Sequence, residues 1–504
     1  MISIYASTKY HPTIQEWIDS EDRLAELVSL VDYLEQRPIP NGMNIIIKEQ
    51  HISTVLDWHN AAPPYLLPEW VNLTKENLLG LVFAKLNNYE KTQAYLSQEN
   101  PSLYAELDFI NRLQQGVPID PNTLASAYTP YDEYRIMHNQ AIIRHYGNTD
   151  SEESKDSVKY YYLEALITAP HDTLKAYSGW HFGLFLLDAG DLDDALRVVQ
   201  AVYSLTGHPQ GKNELQYLRA QIGLRQLSPP YAEEHLTSLR KDLWEVQQAY
   251  EKAALKVNEA LVLTDMGMVA NYSESWAESL QYFQRAIQIF TEQDLPALAA
   301  QAQYRKGTLL FTWAQNGNPQ FYRPAAESYQ AAIKVFNRQE SPDMYAEIQH
   351  HLGIIYAEIP DEAKKKGLWA AISSSAFQEA LGFYQKATHP YDYAAVCNHY
   401  ANALLKYPDA KLSDNVEKAL YFFTEALEIR TATQFPMERS LTILNYLEAQ
   451  WNLGMEEDQL EQDRFDEMTA RAKEVVEICP DTALQQAARQ HLKQLAQLKT
   501  AYAE

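Results

Sequence analysis

The sequence has little cysteine, little glycine and no long apolar run, and each shortage excludes a class of protein. Its 504 residues include two cysteines, Cys397 and Cys479, too few for a disulfide framework or a cysteine-rich zinc site. The 17 glycines leave few residues suited to tight turns with positive φ, which argues against many-stranded β architectures. No apolar run approaches the roughly 20 residues that cross a bilayer, and no secretory signal pattern is visible. We therefore expect a cytoplasmic, helical protein with reduced thiols.

Positive charge is scarce as well. The chain has 42 basic and 67 acidic residues, for a net charge of −25. Phosphate groups are bound by clustered lysine and arginine, and the longest basic run here is residues 364–366. We therefore expect neither nucleic acid nor an anionic membrane surface as a partner. The length exceeds the roughly 250–300 residues that one core supports, so the chain must form several domains or an elongated repeat array.

A helix–turn–helix pattern recurs along the chain. Each copy places a small residue in its first helix, where two backbones cross closely, and the copies at Gly267, Gly307, Gly353 and Ala401 carry an aromatic–alanine stripe in their second helix. The small residues are Gly80, Gly183, Gly267, Gly307, Gly353 and Ala401. The pattern predicts that Gly307 packs against a helix carrying Ala325, Tyr329 and Ala332. It predicts that Gly353 packs against a helix carrying Ala380, Tyr384 and Ala387.

These residues resemble the tetratricopeptide repeat family, from about residue 72 to the C terminus. The resemblance implies an all-α fold, a right-handed superhelical solenoid of antiparallel helix pairs, with units lengthened to about 37–48 residues against the usual 34. We expect about two thirds or more of the residues to be helical, against roughly one third in ordinary globular proteins. The run EKALYFFTEALEIRTATQFP also resembles repeats that accompany CHAT domains in bacterial proteins.

The first seventy residues lack the repeat. They contain a helical stretch at residues 13–35, a proline and glycine break at 37–42, and a proline-rich loop at 60–70. Between them, MNIIIKEQ is either a short strand or the start of a buried helix. We predict a helical N-terminal cap or small subdomain at residues 1–70, and repeat arrays at 71–230 and 231–504. An unusually long helix is expected at residues 232–263.

No catalytic motif is present. The sequence has no phosphate-binding glycine loop and no HExxH, GxSxG or CxxC pattern. His350 and His351 are adjacent and would point about 100° apart on a helix, which is a poor geometry for a shared metal ion. Cys397 and His399 also face different directions, so they make a poor nucleophile–base pair. We expect no enzymatic activity, no metal and no cofactor.

The family resemblance does supply a candidate surface. In that family the first helices line a concave groove, and the matching positions here are Gln301, Tyr304, Arg305, His350, Asn398, Asn402 and Trp180. Amide, phenol and guanidinium groups bind extended peptide backbone and carboxylates. The alternative is that these residues form an ordinary solvated helix face.

The resemblance implies a non-catalytic adaptor or scaffold that binds a protein or peptide in this groove. A second hypothesis is a regulatory or sensor subunit of a bacterial effector enzyme in a stress, signalling or defence system. A third, a catalytic protein with its site in residues 1–70, has no motif to support it. The sequence leaves the identity of the partner and the oligomeric state open.

Overall fold

The computed structural model describes residues 2–33, 43–54, 56, 58, 64–119, 129–147, 155–408, 414–453 and 461–501. Helices make up 74% of the chain, which confirms the predicted all-α repeat fold. The chain divides into two compact units, Met1–Lys256 and Val257–Glu504. The break predicted at residues 37–42 lies outside the described residues. Among the helices of the described ranges, none combines the length and apolar character needed to cross a membrane.

The first unit begins with a five-stranded sheet, which corrects the helical cap predicted for residues 1–70. Strands β1, β2 and β3 are parallel, while β4 and β5 run antiparallel to their neighbours, and the spatial order is β2-β1-β3-β4-β5. One helix, α1, connects β1 to β2. The bounds are β1 Ile2–Ala6, α1 His11–Asp19, β2 Val28–Asp32, β3 Asn44–Lys48, β4 His51–Thr54 and β5 Val71–Asn72.

Alternating burial explains why this segment forms strands. Ile2, Ile4 and Ala6 are fully buried, whereas the intervening Ser3 and Tyr5 are only half-buried. A period of two suits a strand with one covered face. Within the described part of residues 13–35, the predicted α-helix is therefore right only over α1. Of the two alternatives for MNIIIKEQ, the strand is the one that forms, as β3.

After the sheet, the described parts of the first and second units continue as α-helices. In the first unit they are α2 Lys75–Lys85, α3 Tyr89–Leu96, α4 Pro101–Gln115, α5 Pro130–Tyr146, α6 Lys155–Thr168, α7 Asp172–Asp188, α8 Leu192–Tyr203, α9 Pro209–Arg225 and α10 Glu233–Lys252. In the second they are α11 Lys256–Tyr272, α12 Trp276–Glu292, α13 Pro296–Gln315, α14 Tyr322–Ile333, α15 Pro342–Glu358, α16 Ala363–Phe383, α17 Pro390–Leu404, α18 Asn415–Ile429, α19 Pro436–Asn452, α20 Gln462–Ile478 and α21 Thr482–Ala501.

Local sequence signals define the helix ends. Seven of the described helices begin at a proline, whose fixed φ and missing N–H suit the first helical position. They are α4, α5, α9, α13, α15, α17 and α19. Thr74 and Thr129 cap α2 and α5 by accepting hydrogen bonds from the backbone N–H groups of Asn77 and Asp132.

Several turns between helices use positive φ without glycine. Asn87, Ala254, Glu274 and Asp294 all lie in the left-handed region, with φ between 54° and 58°. The shortage of glycine therefore does not exclude such turns. The turn at Ala254 also separates α10 from α11, so the long helix predicted over residues 232–263 is wrong. The predicted arrays divide at residue 231, whereas α10 belongs to the first compact unit.

The paired helices cross at the predicted small residues. A Cβ atom added to Gly183 would lie 2.8 Å from Cγ2 of Val199, and one added to Gly307 would lie 3.0 Å from the Tyr329 ring. Gly353 instead contacts Phe377, and α16 ends before Tyr384. The aromatic–alanine pair facing Gly353 is thus Phe377 with Ala380, so the predicted partners Tyr384 and Ala387 are wrong. Phe377 is fully buried against the backbone of Gly353.

We predict that Gly183→Leu and Gly307→Leu each lower the free energy of unfolding by about 1–3 kcal/mol, because the added side chain overpacks a closed helix crossing. Urea denaturation monitored by circular dichroism measures this. Gly367→Leu is the matched control, because Gly367 is an exposed helix residue whose added Cβ meets no atom within 4 Å. Equal stability of all three variants and the parent protein would contradict the crossing geometry.

Candidate functional site

The predicted groove residues fall on three neighbouring first helices of the second unit, with one exception. Gln301, Tyr304 and Arg305 lie on α13, His350 on α15, and Asn398 and Asn402 on α17. Trp180 lies on α7 in the first unit. The six residues of the second unit differ in how much of each side chain remains available to a ligand.

Tyr304 and its neighbours join α13 to α15. The Tyr304 side chain is buried, and its hydroxyl donates a hydrogen bond to the carboxylate of Glu347 on α15. Its ring meets the Tyr329 ring edge-on, with centroids 5.6 Å apart. Burial, reinforced by the Glu347 carboxylate, raises the pKa of Tyr304, so the phenol keeps its proton. Tyr304 is therefore a packing residue that offers a ligand little surface.

His350 and His399 join α15 to α17. Nε2 of His350 lies 2.8 Å from Nδ1 of His399, so one imidazole donates a hydrogen bond to the other. Burial lowers the pKa of His350 well below its usual value, and that of His399 to about 4. Both rings are therefore neutral near pH 7. His351 stacks on Tyr329 with centroids 5.2 Å apart, and its ring also stacks with that of His350, with centroids 5.9 Å apart.

Of the row formed by these six residues, three are accessible. Gln301 is exposed, and Arg305 and Asn402 are half-buried. The Arg305 guanidinium lies over the Tyr304 ring, 5.8 Å from its centroid, and within the described ranges it has no carboxylate partner. Asn398 is buried, and its Oδ1 has no hydrogen-bond partner in the part of the chain that the structure describes. The row thus presents one cation and several amide groups.

Sequence reasoning missed an apolar extension of this row. In the repeat pattern, Leu447 on α19 holds the position that Gly307 holds on α13. Leu441 stands six residues before Leu447, as Gln301 stands six before Gly307, and its side chain is exposed. Met437, one helical turn earlier, is also exposed. The regular spacing of the repeat was the signal that could have identified both residues.

The candidate chemistry around Cys397 does not form a nucleophilic site. Burial raises the pKa of Cys397 to about 12, so its thiol is protonated near neutral pH. His399 bonds to His350 rather than to the cysteine. Among the described residues, no group of three or more His, Cys, Asp or Glu side chains is arranged to hold a metal ion.

In the first unit, the chain itself covers Trp180. The ring of Trp58, from the segment between β4 and β5, packs against Trp180 and Tyr177 with centroids 5.7 and 5.1 Å apart. Trp58 is fully buried over the backbone of Gly211 on α9. Residues 64–67 of the same segment run along α5. We call Trp58 and residues 64–67 the docked segment.

Side chains of α5 hold the backbone of the docked segment. Asn139 accepts a hydrogen bond from the Leu66 N–H and donates one to the Leu66 carbonyl, both at 2.8 Å. His138 Nε2 lies 2.8 Å from the carbonyl of Pro64, and the Tyr131 hydroxyl donates to the carbonyl of Leu67 at 3.2 Å. The sequence indicated only a proline-rich loop here. The apolar Tyr-Leu-Leu run within it was the signal that it is buried.

The hydrogen bond to the Pro64 carbonyl determines which ring nitrogen of His138 carries the proton. A carbonyl only accepts hydrogen bonds, so Nε2 carries the proton and Nδ1 accepts from the Ser178 hydroxyl, 2.8 Å away. Burial lowers the pKa of His138 to about 4. The unfolded chain therefore binds a proton at this residue more readily than the folded chain does, and stability is lost as pH falls from about 6.5 towards about 4.

We predict that His138→Gln removes this part of the pH dependence. Parent and variant are compared by urea denaturation at about pH 7.5 and about pH 5, and the difference between their free energies of unfolding should shrink by about 2 kcal/mol at the lower pH. The other buried histidines are present in both proteins and cancel. A difference that stays constant with pH would show that His138 is not buried in its neutral form.

Comparison with solved structures relates this fold to helical repeat proteins. A signal transduction ATPase with numerous domains that has a tetratricopeptide repeat sensor, from Pyrococcus horikoshii, is similar at 13% identity with a TM-score of 0.50, over 80% of this chain and 56% of that protein. Yeast Tom70 is 14% identical with a TM-score of 0.35, over 84% and 82% of the two chains. The tetratricopeptide repeat domain of P58(IPK) is 13% identical with a TM-score of 0.22, over 83% and 98%.

At these identities the likeness shows the fold alone. This chain also spans little more than half of the Pyrococcus protein, at 56% of its length. Comparison with protein-family models returns no match, and comparison with curated proteins returns none either. The resemblance to repeats that accompany CHAT domains stays a prediction.

Proposed function

We propose that the protein is a non-catalytic scaffold that binds an extended protein segment on the first helices of its second unit. The observation that carries the proposal concerns the partners of the Arg305 guanidinium. It is an arginine without a carboxylate partner among the described residues, in a chain whose net charge is −25. The Tyr304 hydroxyl and the His350 imidazole already have partners within the chain, whereas this guanidinium is available to a carboxylate of a partner.

The neighbouring groups suit the rest of an extended segment. Peptide backbone offers alternating N–H donors and carbonyl acceptors, and the accessible amides of Gln301 and Asn402 complement both. The exposed Met437 and Leu441 on α19 offer apolar surface to a side chain of the segment. The proposed partner is therefore an acidic, partly apolar peptide segment, and the proposed location is the cytoplasm, where both free thiols stay reduced.

A second candidate function is that of a sensor subunit for a bacterial effector enzyme. The Pyrococcus protein, whose repeats are described as a sensor, favours it by analogy of fold only. Co-expression with candidate effectors from the native source distinguishes the two functions. A stable stoichiometric complex with an enzyme favours the sensor, whereas several weaker peptide partners favour the scaffold.

We predict that Arg305→Ala combined with Asn402→Ala lowers the affinity for the partner roughly tenfold or more, since charge-assisted hydrogen bonds are lost. Titration calorimetry with the purified partner measures the change. Both residues are only half-buried, so the melting temperature should stay close to that of the parent. Tyr304→Ala is a poorer probe, because it also removes the buried contacts to Glu347 and Tyr329.

The matched control is Arg338→Ala, which removes an exposed arginine from the segment after α14. Like Arg305→Ala, it removes one positive charge from the second unit, but Arg338 is not a residue of the row. If the control weakens the partner as much as the double variant does, the effect is one of net charge. If the folded double variant binds like the parent, the partner does not use this row.

A further inference from the structure

The docked segment of the first unit is recognised in the way that an extended peptide is recognised. Asn139 satisfies both the N–H and the carbonyl of Leu66, the same two groups that a neighbouring β-strand would pair. His138 and Tyr131 bond to the carbonyls of Pro64 and Leu67. These contacts are made to backbone groups of the docked segment and not to its side chains.

Two side-chain pockets add specificity. The indole of Trp58 lies among Tyr177, Trp180 and His208, above Gly211, where an added Cβ would come within 2.9 Å of the ring. Any larger residue at position 211 would therefore exclude the indole.

The second pocket takes the tyrosine. The Tyr65 hydroxyl donates to Glu106, whose carboxylate is held by Arg135 at 2.9 Å. The Tyr65 ring stacks on Phe109, with centroids 6.3 Å apart. The tryptophan pocket on α7 and α9 and the tyrosine pocket on α4 and α5 thus select two aromatic side chains of the docked segment.

Among the described residues, the docked state leaves some buried polar groups without hydrogen-bond partners. Nε1 of Trp58 and both ring nitrogens of His181 are buried and have no hydrogen-bond partner within the ranges that the structure describes. The His181 ring lies edge-on to Tyr177 and close to Trp180, so these groups belong to the tryptophan pocket. Buried donors and acceptors without partners oppose docking, which favours an occupant that exchanges.

We propose that this surface, formed by α4, α5, α7 and α9, binds an external extended segment of the same chemistry, a tryptophan followed by a Pro-Tyr-Leu-Leu-like run, and that the docked segment is its built-in competitor. The proposal concerns the first unit and is independent of the function proposed for the second. Because the docked segment belongs to the same chain, it competes with an external segment at an effective concentration that is typically in the millimolar range for short tethers. An external segment therefore binds measurably only when docking is weakened.

The test uses a synthetic peptide with the sequence of residues 56–67, LDWHNAAPPYLL, and a scrambled peptide as control. The full-length Trp58→Ala variant removes the largest anchor of the docked segment and vacates the tryptophan pocket. We expect it to bind the peptide at least roughly tenfold more tightly than the parent does, in fluorescence anisotropy. Adding Asn139→Ala to this variant should abolish binding. A folded Trp58→Ala variant that binds neither peptide would overturn the proposal.

Hydrogen exchange on the intact parent protein keeps the test decisive if Trp58→Ala does not fold. Exchangeable docking requires the Leu66 amide to exchange faster than the amides of α5, through an opening that leaves α5 intact. Equal protection of Leu66 and α5 would show that the segment is a permanent part of the core. A concentration-dependent dimer that Asn139→Ala abolishes would also overturn the proposal, because the surface would then bind the segment of a second copy.

Discussion

The close crossing of paired helices at a residue without a bulky side chain is the constraint on which the repeats depend. At Gly267 and Gly353 the backbone lies directly against the rings of Phe283 and Phe377. In both pairs a serine of the second helix, Ser279 or Ser373, donates a hydrogen bond to the glycine carbonyl. Because this contact fixes the register of the second helix, it also fixes which positions of the first helix remain uncovered.

The uncovered positions do not all become binding surface. Tyr304 and His350 occupy the expected register, yet each forms its main polar contact with the next first helix, through Glu347 and His399. These contacts join one repeat to the next. Arg305 differs because its guanidinium lies over an aromatic ring rather than beside a carboxylate. Binding capacity in such a row therefore depends on which polar groups the neighbouring repeats leave unused.

The first unit shows the same kind of helix surface with an occupant in place. The amide of Asn139 and the imidazole of His138 bind backbone that belongs to the chain itself. Neutral His138 is part of that contact, since only a ring with one free lone pair both donates to the carbonyl and accepts from Ser178. The two helix surfaces share amide and aromatic side chains, and the row of the second unit adds the Arg305 guanidinium.

The sequence by itself determined the helix pairs and most of their crossings. Both follow from the periodicity of apolar and small residues within one or two helical turns, as at Gly183 and Gly307. It predicted the wrong partner stripe for Gly353, because Phe377–Ala380 and Tyr384–Ala387 share one local spacing and only packing distinguishes them. It also missed the end of α10 near Ala254, where an alanine adopts a positive φ that its local propensity does not suggest.

Only the tertiary structure decided the N-terminal sheet and the state of the candidate sites. The sheet pairs β1 with both β2 and β3, and its stability comes from strands that are distant along the chain. Asn139 contacts Leu66 across 73 residues, and His399 contacts His350 across 49. Local patterns reveal which residues lie on a helix face. They do not reveal which distant segment covers that face, because the covering contact depends on how the intervening chain folds back.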